Sequence, residues 1–148
     1  MTRISVKSAI GAVGLPVSMP CQGPIGADFG DVDKRYWATF HKGVDIKVRV
    51  GTDVKCVWPG VIQISGWHKN FGHRIWVLSE HPVLGKFRHL YAHNTVLYRD
   101  AGHRVEVGQI ITISGDTGET ITGKRIGAHL HFQLELWPSR VPIRPIFI

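Results

Sequence analysis

The sequence predicts an all-β fold, and three observations carry that reading. The run 129–136, His-Leu-His-Phe-Gln-Leu-Glu-Leu, alternates polar and apolar residues strictly, which is the period of a strand with one face in a core. The run 41–50, His-Lys-Gly-Val-Asp-Ile-Lys-Val-Arg-Val, holds β-branched residues at 44, 46, 48 and 50 around a central glycine and lacks the apolar spacing of a helix. Many of the 17 glycines separate short β-like runs, as turns do in an antiparallel chain. A partly open barrel and two stacked sheets both satisfy this pattern.

Taken in order, the segment up to Gly30 is rich in Gly and Pro and reads as extended coil. Residues 31–40, with Tyr36 and Trp37, form a loop leading into a strand over 41–50. Further strands are predicted at 54–57, 61–66, 74–79, 86–92, 109–114 and 129–137. The segments 67–72 and 81–85 read as turns, 95–104 as a connection and 116–126 as a longer loop before the last strand. At 148 residues the chain is predicted to be a single domain over 1–148.

Composition narrows the function. The chain is 43% apolar and 20% charged, as in an ordinary globular protein. No apolar run approaches the ~20 residues of a membrane span. The net charge of +7 favours polyanionic surfaces such as cell wall, but no Lys/Arg cluster or zinc-finger pattern points to nucleic acid. Residues 1–16 only faintly resemble an export signal and read as structured or removed chain. Cys21 and Cys56 do not form a Cys-x-x-Cys unit and are not read as zinc ligands; they read as two buried thiols, the alternative being a disulfide in an exported chain.

The chemistry concentrates in two motifs. His129 and His131 share one strand face, about 7 Å apart, so one can bind a metal while the other works beside it. His41 and Asp45, four apart on the strand reading, also share a face with Gly43 between them. Histidine and aspartate are the side chains that hold a catalytic zinc three at a time, with one position open.

With these stand Gly51-Thr-Asp-Val, Trp58-Pro-Gly-Val, Leu90-Tyr-Ala-His93, Val105-Glu-Val-Gly-Gln-Ile, Ser114-Gly-Asp-Thr-Gly118 and Gly127-Ala-His-Leu-His-Phe132. In this order the set resembles the lysostaphin-like zinc endopeptidases, which cut peptide cross-links of bacterial cell walls. The resemblance covers roughly residues 24 to 138, with 1–23 as an N-terminal extension. It implies an antiparallel β-sheet groove with Zn2+ at its floor, held by His41, Asp45 and His131. It implies that His93 and His129 are the catalytic histidines, sharing the roles of general base and oxyanion stabiliser. It implies a peptidoglycan peptide as substrate and action at the cell wall, by phage-type release or as a processed precursor. The alternative is a wall-binding or regulatory module of the same fold with weak catalysis, which would be expected to lack some of these side chains.

Other residues are read beside these. Tyr91 shares the parity of His93, so it is either a substrate contact in the groove or a core tyrosine. Gln133 stands where many family members carry glutamate; on the site face, it is a substrate contact or a partner of a ligand imidazole. Trp67 and Phe71 either line the groove or cap the core. His68, His73, His81, His89 and His103 read as packed or solvated. The loop 117–127 is longer than usual for the family, which bears on substrate preference.

Overall fold

A computed structural model describes residues 14–148. The opening stretch 1–13, the bulk of the faint export-signal resemblance, lies outside the described residues. Those described contain eleven strands and no helix. The strands are β1 (Leu15–Val17), β2 (Val44–Ile46), β3 (Asp53–Lys55), β4 (Gly60–His68), β5 (Gly72–His81), β6 (Gly85–Leu97), β7 (Arg104–Val105), β8 (Ile110–Ser114), β9 (Leu130–Leu136), β10 (Pro142–Ile143) and β11 (Pro145–Phe147).

Nine of them make one antiparallel sheet, ordered β10-β9-β6-β5-β4-β7, with β2 paired to β9 and the β3–β8 pair joined to β6. The sheet does not close into a barrel. β1 and β11 form a separate parallel pair. Both turns predicted between β4 and β5 and between β5 and β6 are present as hairpins.

One face of the sheet carries the main core. Ile75, Val77, Phe87, Tyr91, Phe132, Leu134 and Leu136 lie there with Val44, Ile46, Leu130 and Ile111. The alternation read along 129–136 is therefore real: the even-numbered residues face this core, and the odd-numbered face the other side. On that other side, cross-strand pairing sets His131 opposite Ala92, Gln133 opposite Leu90 and Glu135 opposite Arg88. The Arg88 guanidinium lies 3.9 Å from the Trp76 ring centre and 4.1 Å from that of Trp137, and its Nε is 3.3 Å from Glu135.

Several expectations change. The strand read over 41–50 is regular only at 44–46; Gly30 and His41 instead exchange bonds with the preceding loop, Gly30 N–H to His41 O and His41 N–H to Asp31 O. The coil read up to Gly30 contains β1, whose Leu15 and Val17 are buried around exposed Pro16. The connection read from 95 begins later, because β6 continues to Leu97 against β8. Tyr91 is fully buried on the core face, paired with Phe132, and does not reach the groove. Cys21 and Cys56 are both free, buried thiols; burial pushes Cys21 up to about 11.

Candidate metal centre

Strand pairing builds the centre. β2 and β9 run antiparallel in a register that places Asp45 directly opposite His131, so their side chains leave the same face. Asp45 Oδ1 lies 2.9 Å from His131 Nδ1. His41 precedes β2, and its Nε2 lies 3.2 Å from Asp45 Oδ1 and 3.1 Å from His131 Nδ1. Gly43 makes this approach possible. A Cβ there would sit 2.3 Å from the Phe132 carbonyl oxygen and 3.0 Å from both Gln133 Cβ and His131 Cε1. The glycine is needed for close contact with β9 and with the His131 ring.

The three donor atoms thus form a triangle of edge 2.9–3.2 Å. A tetrahedral zinc with bonds of about 2.0–2.2 Å needs ligand atoms about 3.3–3.6 Å apart, a few tenths of an ångström wider than this triangle. The residues fit the ion in donor type and, to within that margin, in spacing.

The outer atoms fix which nitrogen is free. His41 Nδ1 is 3.1 Å from the Asp28 carbonyl oxygen, which can only accept, so Nδ1 carries the proton and Nε2 presents a lone pair. His131 Nε2 donates to Gln133 Oε1 at 2.9 Å, which leaves Nδ1 free. Trp37 stacks on the His41 ring at 4.5 Å and Phe71 on the His131 ring at 5.7 Å. Burial would raise the Asp45 carboxyl, but its close contacts with His131 and His41, and then the charge of His131 and His129, hold it well below the usual carboxylate range. Burial would lower the His131 imidazole, and Asp45 and Gln133 outweigh it in raising it.

His129 and His93 stand beside this set without joining it. His129 Nε2 is 3.6 Å from Asp45 Oδ1, and its Nδ1 donates to the Gly127 carbonyl at 2.8 Å. His93 Nδ1 donates to the Thr117 carbonyl at 2.8 Å, and its ring centre is 4.8 Å from that of His129. Both therefore turn an unprotonated Nε2 away from their anchoring carbonyls. Burial, and then the neighbouring His129 and His131, push His93 down to about 3. Burial also lowers His129, against the pull of Asp45.

Simple alternation misplaces His93 and Tyr91 relative to each other. With Tyr91 in the core and Ala92 on the site face, residue 93 should return to the core. His93 instead takes φ 67°, a left-handed conformation that histidine tolerates better than most residues, where the β5–β6 register shifts. Asn94 fastens the irregularity: its Nδ2 donates to the carbonyls of His73 and Tyr91, and its Oδ1 accepts from Thr112.

The centre lies in a cavity of about 540 Å³, walled by Trp37, Phe40, His68, Phe71, Ile121 and Arg125. Phe71 lines it as one of its two readings allowed, whereas Trp67 does not. Trp67 is 59% exposed and meets His73 edge-on at 5.0 Å. His68, read as packed or solvated, is on the wall. Its Nδ1 accepts the N–H groups of Asn70 and Phe71 and so shapes the hairpin turn. Asn70 in turn donates to the carbonyls of Glu119 and Thr120, tying the long loop to that turn.

The comparisons agree with this geometry. The model of peptidase family M23 matches residues 39–145. The glycyl-glycine endopeptidase ALE-1 of Staphylococcus capitis is 38% identical over 93 residues, which is 63% of this chain and 24% of that protein. An L-Ala–D-Glu endopeptidase of Bacillus subtilis is 31% identical over 94 residues, 62% of this chain and 28% of that protein. The chain thus spans about a quarter of the length of these curated relatives. Among solved structures, the catalytic domain of lysostaphin from Staphylococcus simulans superposes with a TM-score of 0.70 at 28% identity, covering 82% of this chain and 88% of that one. With the family model spanning most of the sequence and the fold shared with such a domain, the chain belongs to peptidase family M23.

Proposed function

We propose that the chain is a zinc-dependent endopeptidase that hydrolyses peptide cross-links of bacterial peptidoglycan and acts at the cell wall. The observation that carries this reading is the triangle of His41 Nε2, Asp45 Oδ1 and His131 Nδ1, with two further histidines beside it. Its relatives, a glycyl-glycine endopeptidase and an L-Ala–D-Glu endopeptidase, support the substrate class.

Zinc, when bound, supplies a Lewis acid for the scissile carbonyl and lowers the pKa of water. The chain's own residues do the rest. His41, Asp45 and His131 would hold the ion, and Gln133 and the Asp28 carbonyl orient the two imidazoles. His129 and His93 keep Nδ1 protonated through the Gly127 and Thr117 carbonyls. Each Nε2 can then take a proton from the attacking water or deliver one to the leaving nitrogen. The aromatic wall of Trp37, Phe40 and Phe71 excludes water from one side.

The test is mass spectrometry of fragments released from chemically defined peptidoglycans, with and without a chelator. The expected result is new peptide termini that disappear on chelation and return with zinc. Fragments that arise only from glycan cleavage, or no release from any wall type, would refute the reading. The fragment masses also identify the bond.

A further inference from the structure

A second cavity of about 500 Å³ adjoins the first, and both are lined by Ala27, Asp45, Gly127 and His129. The two run into each other at the metal centre. An extended peptide with its scissile bond at the centre must therefore enter both. The chemistry of the two arms differs. The first is aromatic. The second is lined by Gly26, Ala27, Gly127 and Ala128, with Lys47 and Arg49 as its cations.

Lys47 and Arg49 follow Asp45 in steps of two along extended chain. Ile46 bridges Ile25, and the Lys47 N–H donates to the Pro24 carbonyl. An extended backbone puts alternate residues on one side, so these cations lie about 7 and 13 Å beyond the metal ligand. Their backbone is fixed. The Arg49 carbonyl accepts from Thr52 Oγ1 at 2.7 Å and from Ser114 Oγ at 2.8 Å. The Lys47 stem passes over Gly26, where a Cβ would lie 3.1 Å from Lys47 Cε. Both side chains are exposed, and neither has an acidic partner among the described residues.

We propose that this arm binds a free carboxylate of the substrate peptide, about two to four residues from the scissile bond along an extended chain, so that the enzyme prefers cross-links bearing that acid to amidated ones. The proposal rests on the peptidase reading above. Arg49 offers the planar fork that matches a carboxylate, and Lys47 a compact charge nearer the bond. Small lining residues leave room for the acid to approach.

The test uses soluble cross-linked muropeptide dimers, half of which are amidated with ammonia and carbodiimide. Binding to zinc-loaded His129→Ala protein is measured alongside cleavage by the zinc-loaded wild-type enzyme. The acid form should bind about three- to tenfold more tightly than the amidated form, as two solvent-exposed ion pairs allow. Adding Lys47→Gln and Arg49→Gln together should remove that preference and leave binding of the amidated form unchanged. Equal binding of the two forms, a preference that survives both substitutions, or no binding of the acid form would overturn the proposal. Failure of the wild-type enzyme to cleave either form would instead count against the peptidase reading, while the binding comparison still decides on the carboxylate arm.

Discussion

Four imidazoles meet at the groove floor, and an oxygen acceptor sets the tautomer of each. The Asp28, Gly127 and Thr117 carbonyls serve His41, His129 and His93, and Gln133 serves His131. His41 and His131 contact the Asp45 carboxylate in the candidate metal set, and in the proposed reaction His129 and His93 act on the substrate. His129→Ala and His93→Ala are therefore expected to retain zinc yet lose turnover by roughly 10²–10⁴-fold, the worth of a positioned acid or base. Zinc content and steady-state rates on one preparation check this; loss of zinc from His129→Ala would reassign it as a ligand. Gln133→Ala should lower zinc affinity by about 10–100-fold, and Gln133→Glu should restore it, since either acceptor orients the His131 ring. Competition with a chromogenic chelator measures this without relying on activity. At this scale the sequence is informative where a motif is local. His41, Asp45, His129 and His131 are legible because β2 and β9 carry Asp45 and His131 and the other two stand just before those strands. Tyr91 and His68 are not, because a left-handed residue and a hairpin turn override simple alternation.

At the scale of elements, the site depends on how closely β2 approaches β9. Gly43 has no room for a side chain against the Phe132 carbonyl. Gly43→Ala should destabilise the fold by about 1–3 kcal/mol, as overpacking does, and should also weaken zinc binding by parting Asp45 from His131. Urea denaturation with and without zinc would show both effects; an unchanged midpoint and zinc affinity would mean that β2 shifts without cost. The longer strands were readable as β-like runs bounded by turn residues, although β6 and β9 are buried on both faces. β7 and β10 have two residues each, and β1 and β11 have three, too few for a period to register. β1 forms because the distant end of the chain returns to pair with it through Leu15 and Pro145, which local sequence does not encode. The bulge at His93 is likewise set by Asn94 reaching across to β5 and β8.

On the scale of the whole molecule, charge and acidity act together. The net charge of +7 should draw the protein to an anionic wall at low salt. The Debye length falls from ~30 Å at 0.01 M to ~8 Å at 0.15 M, so wall clearing should drop steeply with salt while cleavage of a small soluble peptide changes little. Equal salt dependence on both substrates would remove any targeting role for the charge. Acid should unfold the protein partly through His89, which bonds Ser79 and Tyr91 inside the core and is pushed down to about 3 by burial. Between pH ~6.5 and about 3 the unfolded chain binds a proton at this residue that the native state refuses, so its contribution is complete above ~6.5 and is lost as pH falls. The urea midpoint should decline over that window, and less so in His89→Gln; parallel declines would exclude His89 as a cause. The central claim concerns the metal, and elemental analysis of the purified chain tests it most directly. About one zinc per chain is expected in the wild type, with most of it lost in each of His41→Ala, Asp45→Ala and His131→Ala. Full zinc in all three variants would contradict the assignment of the centre.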